Sequence, residues 1–142
     1  MVMRRPITLL RTALVLGLLA VFSAPAALAG QSSENRSVLD GVFSPEQAAS
    51  GEETFQQECA LCHMTQEFQG RIFQLSWSNR SVHDLFRSIR NTMPFDRPGG
   101  LTDEQYSAIV AYLLKLNEYP TGSDALGTSE EELASIRIEA RP

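Results

Sequence analysis

Two cysteines occur in the 142-residue chain, and both fall within Cys59-Ala60-Leu61-Cys62-His63. This C-x-x-C-H spacing is the attachment pattern of a c-type haem. Two thiols three positions apart on a helical turn can add to two vinyl groups on one porphyrin edge. His63 follows directly, so its imidazole is carried under the ring, where a nitrogen can ligate iron. Two other chemistries use similar residues. A thiol–disulfide pair also reads C-x-x-C, but it needs a βαβ setting, and no strand-like run precedes Cys59. Zinc needs four ligands, and the only other histidine in the chain is His83.

A haem iron bound to one histidine has a second axial position, and three side chains compete for it. Met64 is adjacent to His63, too short a tether to reach the other ring face. His83 falls in the first turn of a helix, off its apolar stripe, and exposure is the default for such a residue. Met93 lies in a non-helical stretch held by Pro94, between two helices that can cover the ring. Placement therefore predicts Met93 as the second ligand; its alternative use is as a gap-filler in the core. A thioether there stabilises ferrous iron and raises the reduction potential.

These residues need helices to position them. Ser44-Pro45-Glu46-Gln47 combines a capping serine, a proline at the first helical position and a glutamine that can complete a capping box. The spacing of Ala48, Gly51, Phe55 and Cys59 predicts a helix over about 45–59. Gly51 inside it is unfavourable by roughly 1 kcal/mol against alanine, which a close helix crossing would explain. Ser81 to Asp84 starts a second helix, with Val82, Leu85, Phe86 and Ile89 as its stripe, ending near Asn91. Thr102 to Gln105 is another capping box and opens a helix over about 103–117. Its stripe is Tyr106, Ile109, Val110, Leu113 and Leu114.

The stretches between these helices are less regular. Residues 64–79 show no clear period, and their apolar side chains are expected to drape over the porphyrin. Ser129 and Glu132 can cap a short helix through Ala134, and Ile136-Arg137-Ile138 alternates like an extended piece. The tail over 121–142 is expected to pack on or near the domain.

The chain opens like an exported protein. Arg4, Arg5 and Arg11 precede an apolar run over 13–22, and Ala27-Leu28-Ala29 offers a cleavage site before Gly30. The run is shorter than the roughly 20 residues that span a bilayer. Residues 1–29 thus read as a signal peptide, residues 30–43 as a polar flexible leader, and residues 44–120 as the haem domain. Loss of the signal removes three arginines from twelve basic residues, leaving nine against seventeen acidic residues, a net charge of −8. That balance argues against nucleic acid and anionic lipid as partners. The expected location is the periplasm, with no stable membrane insertion after cleavage.

The pattern over about 45–120 resembles a class I cytochrome c. The likeness rests on Gly51 and Phe55 ahead of the C-x-x-C-H, on Met93-Pro94, and on Ala111-Tyr112 in the final helix. It implies an all-α fold of three to four helices around one covalent haem c. Cys59 and Cys62 would attach the haem, and His63 and Met93 would ligate its iron. It also implies that the first and last helices cross, with Gly51 and Phe55 meeting Ile109 and Tyr112. The run from Trp77 through Asp84-Leu85-Phe86, Met93-Pro94 and Gly99-Gly100-Leu101-Thr102 to Pro120 is similar to small cytochromes associated with quinone-cofactor (PQQ) dehydrogenases of the periplasm.

One departure matters. The family often follows its haem motif with Gly-Pro, whose carbonyl orients the proximal histidine. Here Arg71 follows Gly70, so another carbonyl within 68–76, or water, is expected to orient His63. Arg90 and Arg97 flank Met93 and are candidates to pair with a haem propionate or a docking partner.

The implied function is an electron carrier, not an enzyme, passing single electrons between a dehydrogenase and the respiratory chain. A terminal oxidase or another cytochrome is also a fitting partner. Two alternatives stay open: a haem enzyme or gas sensor with a labile sixth ligand, and a haem-free thiol–disulfide protein.

Overall fold

The computed structural model describes residues 36–141. The expected signal peptide over 1–29 and the start of the expected leader lie outside the described residues. Five α-helices carry the described chain: α1 Pro45–Glu58, α2 Gly70–Trp77, α3 Val82–Thr92, α4 Asp103–Leu116 and α5 Glu130–Ser135. Two short strands, β1 Arg36–Ser37 and β2 Ile136–Arg137, pair in parallel, with Arg36 opposite Ile136. The fold is the small all-α cytochrome c architecture. None of the described helices is long and apolar enough to cross a membrane.

The capping chemistry explains where three helices begin. Ser44 Oγ accepts from the Gln47 N–H, Ser81 Oγ from the Asp84 N–H, and Thr102 Oγ1 from the Gln105 N–H, each satisfying a donor that a helix start leaves unpaired. Asp84 and Gln105 reach back to complete capping boxes. Gln47 does not. Its side-chain amide instead bonds the Leu126 main chain in both directions, at 2.8 Å each, and fastens the tail to α1.

The organising contact is α1 against α4. A Cβ placed on Gly51 would lie 1.8 Å from the carbonyl oxygen of Ala108 and 3.0 Å from the Ile109 nitrogen. No side chain fits there, so the glycine is the condition for the crossing. One turn on, the Phe55 ring packs against Tyr112, with centroids 5.5 Å apart. This is the crossing that the family resemblance implies. Because α4 is the central helix, residues 106–114 are all buried.

The structure changes or sharpens three expectations. The flexible leader over 30–43 does not hold for its described part: residues 36–40 form β1 and a 3-10 turn, and Val38 and Val42 are buried. Their covering partners lie about a hundred residues on, where local composition cannot reveal them. The tail over 121–142 does more than pack near the domain, because Leu126, Leu133, Ile136 and Ile138 belong to the main core. The stretch over 64–79 is not an irregular drape. It holds a 3-10 turn, Thr65–Phe68, and then α2. Ile72 and Leu75 on α2 face solvent, while Phe73 is buried against Tyr119.

Candidate haem site

Helices α1, α3 and α4 and the loops beside them enclose an apolar cavity of about 690 Å³. Cys59, Cys62, His63 and Met93 all line it, although they come from chain segments up to thirty-four positions apart. Phe55, Trp77, Leu85, Ile89, Ile109 and Leu113 supply much of its apolar wall. Neither cysteine is in a disulfide. Size, apolar lining, a thiol pair and two iron-binding side chains suit a covalently held porphyrin. The residues present fit haem c.

The cysteine pair is placed by the frayed end of α1. Cys59 caps that helix, and the Cys62 and His63 N–H groups both bond back to the Cys59 carbonyl, at 3.1 and 3.0 Å. This tight turn sets both thiols and the imidazole within one short segment. Burial pushes the Cys59 thiol above its ordinary pKa, and the charge of Glu58 adds to the effect. A redox-active thiol of the thioredoxin type is depressed instead, so this environment disfavours the thiol–disulfide reading.

His63 has an orienting partner that sequence reading placed wrongly. Its Nδ1 lies 3.1 Å from Glu67 Oε2, leaving Nε2 as the nitrogen free to ligate a metal. The expectation is a carbonyl within 68–76 or water; the structure has a carboxylate four positions on. The other oxygen of Glu67 accepts from the Met64 N–H at 3.0 Å. That backbone bond first, and the His63 bond second, hold the Glu67 carboxyl below the usual range. No helix-face pattern marks the pair, because Met64 between them is extended.

Phe68 stands edge-on to the His63 ring, with centroids 5.3 Å apart. Phe68 is in turn held by a side chain from another part of the chain. Asn117, at the end of α4, is buried, and its amide donates to the carbonyls of Phe68 and Leu113 at 2.8 Å each. Its Oδ1 accepts from the Gly70 N–H at 2.9 Å. One side chain thereby caps α2 from outside and buttresses the turn that carries Glu67.

Met93 is the C-terminal cap of α3. Its N–H bonds the Ile89 carbonyl at 2.8 Å, and its own carbonyl accepts from the Tyr106 hydroxyl at 2.7 Å. The other candidates for the second axial position are elsewhere. Met64 is exposed, and His83 is half-buried; neither lines the cavity. Arg90 and Arg97 were candidates for a propionate or a partner, but both are engaged within the chain. Arg90 bonds Asp103 at 2.7 Å, and Arg97 pairs with Glu58. Leu61 and Phe95, 90 % and 88 % exposed, line the same cavity.

The helical architecture and the C-x-x-C-H turn facing an apolar cavity are like those of a c-type cytochrome domain, which implies an electron-transfer haem protein with covalently bound haem c. A comparison with family models agrees. Residues 46–113 match the family described as cytochrome c oxidase, cbb3-type, subunit III. The chain is similar to that family over just under half its length, from the first turn of α1 to the last turn of α4. Comparisons with curated proteins and with solved structures give no significant match.

Proposed function

We propose that the protein is a periplasmic monohaem carrier that passes single electrons from a dehydrogenase to the respiratory chain. Cys59 and Cys62 would attach the haem, and His63 Nε2 and the Met93 sulfur would ligate its iron. The carrying observation is that one apolar cavity gathers the thiol pair, a histidine with an oriented ring and a thioether. Haem c held there supplies a one-electron iron couple. The chain's own part would be to offer the iron two side-chain ligands, exclude water and hold those ligands still. Glu67 orients the imidazole, and the Met93 backbone is tied at both its polar groups. Two such ligands would leave no place for oxygen or substrate, which favours electron transfer over turnover.

The export reading rests on the pattern of residues 1–29. A quinoprotein dehydrogenase is the donor suggested by the run from Trp77 to Pro120, and a terminal oxidase fits as acceptor. The test is a pyridine haemochrome spectrum and an intact mass of the exported protein, followed by carbon monoxide titration of the ferrous form. One added haem on a chain starting at Gly30, with slow and weak carbon monoxide binding, is expected. A mass without haem ends the proposal, and rapid stoichiometric carbon monoxide binding turns it towards a gas sensor or an enzyme.

A further inference from the structure

We propose that Tyr106 is a positioning residue for the thioether: its hydroxyl pins the Met93 backbone and so sets how readily that side chain leaves the iron. The proposal rests on the reading of Met93 as the axial ligand. Tyr106 projects from α4 and is completely buried. Its ring stands edge-on to Phe86 of α3, with centroids 6.2 Å apart, so the side chain spans the two helices that meet beneath Met93. The hydroxyl donates to the Met93 carbonyl at 2.7 Å, the usual length for an O–H···O bond. The Leu101 N–H approaches the same oxygen at 3.4 Å, so one hydroxyl gathers both ends of the loop over 94–101.

The other ties on this loop are of a different kind. Arg90 with Asp103 and Arg97 with Glu58 are pairs between partly exposed side chains, screened by water and worth little. The Met93 N–H bond belongs to the last turn of α3, where helices fray. The tyrosine bond is buried, and losing it would leave a carbonyl unpaired away from water. For the thioether to leave, residues 93–101 must shift, and that shift breaks the Tyr106 bond. The hydroxyl therefore acts on the closed state of the site.

The test compares haem-loaded Tyr106→Phe, Tyr119→Phe and Met93→Ala. Tyr119 is a matched control: it is also buried, and its hydroxyl also donates to a backbone carbonyl, that of Glu139 at 2.6 Å, but Glu139, unlike Met93, does not line the cavity. The readouts are melting temperature, the thioether-to-iron absorption band of the ferric form, and carbon monoxide binding to the ferrous form. Tyr106→Phe is expected to weaken the band and raise the rate of carbon monoxide binding roughly five- to thirty-fold, the equivalent of one buried hydrogen bond. Tyr119→Phe is expected to lower the melting temperature by a similar amount and leave the other two readouts unchanged.

If Tyr106→Phe and Tyr119→Phe alter carbon monoxide binding alike, the proposal is overturned while the ligand reading stands. If Met93→Ala leaves the band and the binding rate as in the parent protein, Met93 is not the ligand and both fall. Should Tyr106→Phe fail to accumulate haem, proton magnetic resonance of the parent ferrous protein decides. A slowly exchanging Tyr106 hydroxyl proton close to Met93 supports the assignment, and a rapidly exchanging one overturns it.

Discussion

His63 and Met93 reach the same cavity by different routes. On the histidine wall, the thiols, the imidazole and its orienting carboxylate all lie between Cys59 and Glu67. A single frayed helix end and a 3-10 turn position them. On the methionine wall, α3 supplies the residue, α4 supplies the hydroxyl that fixes its backbone, and α1 supplies Glu58, which pairs weakly with Arg97 of the loop beyond. A short motif can specify the first wall because its contacts are local. The second needs tertiary packing before any of its contacts exist.

The most damaging test removes the first wall. Cys59→Ala with Cys62→Ala takes away covalent attachment and leaves the apolar cavity to water. The expected product is an unfolded or barely stable apoprotein. A colourless, cooperatively melting monomer would show that the helices do not depend on the haem. Next is the scaffold that both walls share. Gly51→Ala forces α1 away from the Ala108 carbonyl, and a loss of about 3 kcal/mol is expected, read by denaturant melting. A loss below about 0.5 kcal/mol would mean that the crossing yields easily.

A smaller effect would show how far the histidine wall is self-contained. Asn117→Leu strips the Gly70 N–H and the Phe68 carbonyl of their partner at nearly constant volume, and about 2 kcal/mol of stability should go with them. If the local motif suffices, the haem spectrum will be unchanged; altered histidine ligation would reveal dependence on α4. The mildest change is Glu67→Gln, which keeps a partner for Nδ1 but removes its charge. The ferric form should lose some stabilisation, and the potential should rise by about 59 mV or less, a factor of ten in the one-electron equilibrium. An unmoved potential would reduce Glu67 to a local cap.

How legible each part was follows from the same division. Ser44, Ser81 and Thr102 cap helices through bonds to residues three positions on, so α1, α3 and α4 could be read directly. Gly51 and Phe55 pointed to the crossing because a glycine within an amphipathic helix needs a neighbour's backbone to justify it. By contrast, α2 has no side-chain cap of its own; its first N–H is met by Asn117, forty-seven residues away. The apolar side chains of residues 36–43 looked like a leader because their cover comes from the tail. Arg90 and Arg97 seemed available to a ligand because Asp103 and Glu58 are distant in sequence. Glu67 lies only four positions from His63, but Met64 between them is extended, so no helix-face pattern marks the pair.

The parallel pairing of Arg36 with Ile136 has a consequence for assembly. Joining segments a hundred residues apart carries a loop-closure cost of about 4 kcal/mol in an otherwise flexible chain. It becomes affordable only after the helices between have shortened the path. The ladder should therefore close last, acting as a latch on a nearly finished molecule. Amide protons around Val38 and Ile138 would then be among the first to exchange when the latch lifts.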